Sequence, residues 1–282
     1  MKVLLTGADG QLGRAWRALA QAEGILTFAF SRQELDITNG QKLREKVLHI
    51  QPEVILNAAA YTAVDKAEGE PQLAFAVNAQ AVATLAEVAN EVGALLVHVS
   101  SDYVFDGRSQ RPYREEDPPN PLSVYGKSKL AGEEAAKKAH QHLIVRTSWL
   151  FGEGWNFVEA IRSQLRAGAK ELRVVADQRG RPTYARDLAL ALWHLEQKES
   201  RGLFHVANEG SASWAEFAEE IVRQLGLATP VLPISTEAAG RPAPRPAYSV
   251  LDTSRFAGVV GPLRPWQEAL AAYLAGKSTS GS

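Results

Sequence analysis

Tyr125 and Lys129, within Tyr125-Gly126-Lys127-Ser128-Lys129, stand four residues apart. On a helix they share one face, where an ammonium can sit beside a phenol. At ~4 Å and an effective dielectric of ~20 the cation stabilises a phenolate by roughly 4 kcal/mol, enough to draw a phenol pKa of ~10 toward neutral pH. Such a tyrosine is a candidate proton donor. The spacing alone does not discriminate, because Tyr273 and Lys277 repeat it where nothing else points to chemistry. Tyr125 differs in its company. Ser100-Ser101-Asp102-Tyr103 lies upstream, and a hydroxyl at Ser101 would polarise a carbonyl oxygen as charge develops on it. Taken alone, Ser101 is equally readable as a strand-end cap.

A hydride carrier has its own signature. Thr6-Gly7-Ala8-Asp9-Gly10-Gln11-Leu12-Gly13 falls between an apolar strand and a helix, where backbone amides and the helix dipole favour a pyrophosphate. Gly7 serves a tight turn, Gly10 the approach of phosphate to backbone, and Gly13 the packing of helix on strand. The spacing is GxxGxxG rather than GxGxxG, and a merely flexible loop is the alternative. After the second strand, where an acid would hold a ribose, the chain has Ser31-Arg32. Arginine there accommodates a 2′-phosphate, so NADPH is expected ahead of NADH, with a solvated arginine as the alternative. Asp36 and Ile37 lie close enough in sequence to reach the adenosine. Asn57-Ala58-Ala59-Ala60-Tyr61 supplies small side chains for a backbone approaching the cofactor, or plain packing.

These residues need a scaffold that brings strand ends together. Apolar runs at 2–6, 25–30, 54–57, 95–100 and 143–147 alternate with helical patterns at 11–22, 41–50, 74–92 and 125–139. Short Val/Leu/Ile strands alternating with helices predict an α/β fold, a doubly wound, Rossmann-like parallel sheet. Ligands then bind beyond the carboxyl ends of the strands, so Gly7, Asn57, Ser101 and Thr147 should converge on one crevice. Later come a helix at 156–167, a strand at 172–175, a helix at 184–197, a strand at 203–207 and a helix at 214–225. The proline-rich 241–246 reads as a loop, 265–275 as a short helix and 277–282 as a flexible tail. The expected division is a dinucleotide-binding domain of 1–148 and 172–207, with a smaller, mainly helical substrate lobe of 149–171 and 208–276.

Composition removes other classes. With 282 residues and a formal charge of -1, the chain has no global field for nucleic acid or an anionic membrane, which leaves a small-molecule ligand. Having no cysteine, it carries no disulfide, thiol nucleophile or thiolate metal site. The N-terminus turns glycine-rich too early for a signal peptide, and no stretch has the ~18 apolar residues of a membrane span. A soluble cytoplasmic protein is expected.

Longer segments carry a resemblance. Gly7 to Gly13 as above, Asn57-Ala58-Ala59-Ala60-Tyr61-Thr62-Ala63-Val64-Asp65-Lys66-Ala67-Glu68, Ser101-Asp102-Tyr103-Val104-Phe105-Asp106-Gly107, Arg146-Thr147-Ser148-Trp149-Leu150-Phe151-Gly152, Asp177-Gln178-Arg179-Gly180-Arg181-Pro182-Thr183 and Arg245-Pro246-Ala247-Tyr248-Ser249-Val250-Leu251-Asp252 are similar to segments of the extended short-chain dehydrogenase/reductases. Within them they resemble most the dTDP-4-dehydrorhamnose reductase family.

The resemblance implies NAD(P)H-dependent reduction of the 4-keto group of dTDP-4-dehydro-L-rhamnose, the last step to dTDP-L-rhamnose. It implies Tyr125 as proton donor, Lys129 as holder of the nicotinamide ribose, Ser101 at the ketone oxygen and Asn78 as the asparagine the superfamily often keeps. Asp102, Tyr103, Trp149 and Asn156 become candidates near the sugar. Arg181 and Arg245 become candidates for the diphosphate, whose oxygens fit guanidinium forks. Some members use a divalent metal in dimer assembly; a homodimer is compatible with this sequence, but no metal-ligating carboxylates are assignable. Two alternatives remain: an NADP-binding regulatory subunit like that of methionine adenosyltransferase, and a nucleotide-sugar epimerase or dehydratase, for which Asp102 would serve.

Overall fold

The structure, a computed structural model, describes residues 1–278. The elements β1 (Lys2–Thr6), α1 (Gln11–Ala22), β2 (Leu26–Phe30), α2 (Gly40–Ile50) and β3 (Val54–Asn57) alternate first. Next come α3 (Val64–Ala67), α4 (Pro71–Phe75), a π-helical turn (Ala76–Gln80), α5 (Ala81–Val92), β4 (Leu95–Ser101), α6 (Val124–Ala136) and β5 (His142–Thr147). The second half holds β6 (Leu150–Phe151), α7 (Phe157–Arg166), β7 (Leu172–Val175), β8 (Arg179–Gly180), β9 (Thr183–Tyr184), α8 (Ala185–Gln197) and β10 (Gly202–His205). Then follow β11 (Ala212–Ser213), α9 (Trp214–Gln224), β12 (Val231–Ile234), α10 (Thr236–Ala239), α11 (Ser254–Val259) and α12 (Trp266–Ser278).

Six strands form one parallel sheet in the order β10-β5-β4-β3-β1-β2. Its inner strands are apolar because both faces are covered. Leu12 and Trp16 of α1 meet Leu188 and Leu192 of α8 on one face, while Leu43 and Val47 of α2 meet Val82 and Leu85 of α5 on the other. The edge strand β2 lacks that cover, and Leu26 is 56% exposed. A second core gathers Phe151, Phe217, Trp266, Leu270 and Tyr273 from the later segments.

The structure departs from the sequence expectations at three places. The strand at 172–175 forms, but it pairs in parallel with β12 rather than joining the six-stranded sheet, and β8 likewise pairs with β11. Among the described residues, of the later strands only β10 extends the main sheet. The single helix expected at 74–92 is instead α4, the π turn and α5. The π turn lies where α6 presses closest: a Cβ at Gly132 would sit 2.0 Å from the Asn78 carbonyl oxygen. Finally, α12 runs to Ser278, into the segment expected to be a tail. The remainder of that segment, 279–282, lies outside the described residues. Among the described residues no helix is long and apolar enough to cross a membrane.

Candidate active site

The glycine turn has the shape its sequence implies. Gly7 has φ +70, and a Cβ there would lie 2.6 Å from Ala59 N and 2.8 Å from the Ala58 carbonyl. The 58–61 segment therefore closes directly over the turn, and only glycine admits it. Gly13 packs on the turn itself, since its Cβ would meet Gly7 O at 2.2 Å. Gly10 N donates to Gly7 O at 3.0 Å and precedes α1 without a side-chain cap, leaving first-turn amides of that helix for an anion. One buried acceptor at the start of α1, Gln11 Oε1, has no protein partner. A cradle that a Cβ at Gly7 or Gly13 would fill, with an orphaned amide oxygen beside it, fits a dinucleotide pyrophosphate. Leu12 differs: only 5% exposed, it belongs to the core.

The candidate catalytic groups meet at the end of β4. The Ser123 side chain accepts from Gly126 N and starts α6 at Val124, which puts Tyr125 in the first turn and Lys129 one turn later. Both are buried. Ser101 Oγ lies beside the Tyr125 phenol, accepts from Tyr103 N at 3.2 Å and donates to Asp102 Oδ1 at 3.0 Å. The Tyr103 ring meets that of Tyr125 edge-on at 5.5 Å. Burial pushes the Tyr125 phenol up to about 12, the Ser101 bond pulling against it and the Asp102 charge adding to it. This differs from the expected depression by lysine. Lys129 does share the helix face, but its Nζ donates to Val99 O at 2.6 Å. Burial draws Lys129 down to about 8 against the opposing charge of Glu133. Desolvation of the phenol thus outweighs a cation engaged by the neighbouring strand.

Asp102 is sequestered. Its Oδ2 accepts from Ser249 Oγ at 2.5 Å, and burial pushes it up to about 6 although the Ser249 and Ser101 bonds lower it. Burial, with Asp102 beside it, also raises Tyr103. Beneath this corner Thr6 Oγ1 donates to Asn57 Oδ1 at 2.7 Å, and Asn57 Nδ2 contacts His98 Nδ1 at 3.1 Å. Burial first, then the Lys129 charge, hold His98 well below its ordinary value. Asn78 Oδ1 accepts from Tyr61 N at 2.8 Å, while its Nδ2 donates to Tyr61 O at 3.1 Å and Ser128 Oγ at 2.9 Å. The π turn thereby clamps the 58–61 segment, including Ala60, to α6.

The remaining expected residues lie in three settings. Arg32 is 75% exposed and 3.7 Å from Asp36, while Ser31 donates to Glu34 at 2.8 Å. Asp36 also accepts from Thr38, and Ile37 is core. Trp149, with φ 47, stacks on Trp214 at 3.6 Å and packs against Gly180. Asn156 caps α7 and turns its amide to Gly152 O and Gly154 O, so its polar atoms are occupied within the second core. Arg245 binds Asp65 through both Nη atoms, at 2.9 and 3.0 Å. Arg181 reaches Glu209 at 3.3 Å and Thr253 at 3.2 Å, with a buried Nε lacking a partner.

Sequence reasoning missed Ser249, Asp65, Glu209, Glu133 and Arg146. Glu133 carried a local signal, four residues beyond Lys129. Ser249 carried none, being 147 residues from the carboxylate it touches. Among the described residues no group of three or more His, Cys, Asp or Glu is placed to hold a metal ion.

The chain is similar to known proteins along nearly its whole length. The chain matches the family described as the RmlD substrate binding domain over residues 1–278. It is 45% identical to a dTDP-4-dehydrorhamnose reductase of Streptomyces griseus, over 95% of this chain and 91% of that one. It is 42% identical to the spore coat polysaccharide biosynthesis protein SpsK of Bacillus subtilis, over 99% of each. Among solved structures, a dTDP-4-dehydrorhamnose reductase of Bacillus anthracis in complex with NADP aligns with a TM-score of 0.94 at 40% identity, over 98% of this chain and 100% of that one.

Proposed function

The chain belongs to the RmlD substrate binding domain family, and from that footing we propose that it is an NADPH-dependent dTDP-4-dehydrorhamnose reductase. It reduces the 4-keto group of dTDP-4-dehydro-L-rhamnose and yields dTDP-L-rhamnose. The observation that carries the reading is the buried corner in which Ser101 and Tyr125 lie side by side at the carboxyl end of the same parallel sheet as the glycine turn.

When bound, NADPH supplies the hydride. The α1 N-terminus, with Gly7, Gly10, Gly13 and Gln11, holds its pyrophosphate, and Ser31 and Arg32 take the 2′-phosphate. The 57–61 segment, clamped by Asn78, forms the floor, and Lys129 holds the ribose. Tyr125, at about 12, is fully protonated at neutral pH. Its Oη delivers that proton to the oxygen as the carbonyl is reduced, a contribution of about 100- to 10,000-fold from a placed general acid. Ser101 turns its hydroxyl from Asp102 to the same oxygen and stabilises the developing charge. Arg181 and Arg245 exchange their carboxylate partners for the diphosphate. Trp149 and Asn156 shape the wall of the sugar cleft.

The test is NADPH oxidation with dTDP-4-dehydro-L-rhamnose, comparing the parent with Tyr125→Phe. No turnover by the parent overturns the substrate. Full activity in Tyr125→Phe overturns the proton donor.

A further inference from the structure

Helix α6 is tied to β4 at two points one turn apart. Lys129 Nζ donates to Val99 O at 2.6 Å, and Ser100 Oγ donates to Glu133 Oε1 at 2.5 Å. The first tie belongs to a residue with a ribose to hold. The second is anchored on a buried fork: Arg146 Nε and Nη2 donate to Glu133 Oε1 and Oε2 at 2.8 and 2.7 Å. Both side chains are out of water, at 3% exposure for Arg146 and 0% for Glu133.

Strand register explains why the fork lands there. Arg146 of β5 pairs with Ser100 of β4 on one side and His205 of β10 on the other. Arg146 Nη1 lies 3.4 Å from His205 Nε2, and its guanidinium stands 5.0 Å from the centroid of the buried Phe105 ring. His205 Nδ1 is 3.0 Å from Tyr113 O. Burial, and then Arg146, take His205 down to about 3. The imidazole is therefore neutral, with Nδ1–H donating to Tyr113 and Nε2 accepting from Arg146. One polar layer thus crosses three strands and ends on the catalytic helix.

We propose that Glu133 and Arg146 are positioning residues which fix helix α6 against the end of β4, and so the separation of Tyr125 from Ser101, independently of where Lys129 places its ammonium. Neither touches the reacting atoms. Ordinary packing could supply stability in their place, since an apolar pair often replaces a buried ion pair without loss. It could not supply the directional tie to Ser100. A displacement of about 1 Å at reacting groups lowers rates by about 100-fold.

The proposal rests on the reductase reading for its kinetic readout, so the experiment carries a structural one as well. The double variant Glu133→Leu/Arg146→Met is compared with the parent for melting temperature, NADPH affinity, kcat and KM, and by crystal structures. The expected result is a melting temperature near the parent's, NADPH affinity within about threefold, kcat lower by about 10- to 100-fold with little change in KM, and a shifted first turn of α6. Parent-like kcat with an unmoved Ser101–Tyr125 pair overturns it. So does a kcat loss that follows loss of folded protein alone. Should the double variant not fold, Ser100→Ala removes the tie without burying a lone charge. It should lower kcat several-fold at unchanged KM, and parent-like kcat overturns the proposal. If the parent does not turn over the sugar, the reductase reading fails, and the Ser101–Tyr125 separation in the variant crystals decides the positioning role.

Discussion

Glu133 and Arg146 meet beneath α6 at 0 and 3% exposure, whereas Asp65 and Arg245 meet at the proposed substrate side at 27 and 15%, and Glu216 and Arg179 at 49 and 43%. The same pairing of carboxylate and guanidinium does different work in these settings. Under α6 neither charge can leave, because a lone charge would remain in the interior. Toward the substrate side, water screens each pair and lowers its worth. An arginine there can release one anion to take another, which is what binding a diphosphate requires.

The largest effect that could break this contrast is in catalysis. Tyr125→Phe should lower kcat by about 100- to 10,000-fold with folding intact, measured by NADPH oxidation alongside circular dichroism. Next comes the buried pair. Arg146→Ala or Glu133→Ala alone should lose about 3 to 5 kcal/mol in denaturant unfolding. A loss no larger than that of Asp65→Ala would erase the distinction between the two regions.

Asp102 sharpens the contrast from another side, as a buried acid without a cation. Its folded pKa, about 6, lies above the ordinary 3.8, so folding favours the protonated form. That contribution is full below pH ~4 and is lost as pH rises through about 6. The ionised carboxylate then costs about 3 kcal/mol. Asp102→Asn should therefore stabilise the protein at pH 8 by up to that amount, and much less at pH 4, in paired unfolding curves. Equal effects at both pH values would deny the shift.

At the substrate side, Asp65→Asn should cost about 1 kcal/mol and free Arg245, lowering KM for the nucleotide sugar several-fold. An unchanged KM would make Arg245 a strut. The smallest expected effect is at Arg32, 75% exposed. Arg32→Ala should leave stability within about 0.5 kcal/mol while raising KM for NADPH and sparing NADH. Equal changes for both cofactors would remove its role at the 2′-phosphate.

Local physics made much of the molecule legible. Helix α1 and strand β3 occupy the residues that apolar periodicity assigns them, because hydrophobic spacing of 3.6 or a short apolar run needs only near neighbours to be read. The glycine turn was equally local: Gly7 has the positive φ a tight turn demands. Tyr125 and Lys129 share a helix face by spacing alone, and the common carboxyl end of β1, β3, β4 and β5 follows from a parallel sheet.

Long-range contacts decided the rest. The strand at 172–175 could be recognised but not its partner at 231–234, since pairing depends on which edge the folded chain presents. The π turn at Asn78 lies against Gly132, 54 positions later. Lys129 had the predicted face, yet Val99 O determined where its ammonium points, and burial rather than that cation sets the Tyr125 pKa. Ser249 reached Asp102, and Asp65 reached Arg245, across 147 and 180 residues. By itself the sequence determined which groups could do the chemistry. Tertiary structure decided which of them are dry, which are already partnered and how they are aimed, because desolvation and hydrogen-bond geometry are properties of surroundings that the chain acquires only when folded.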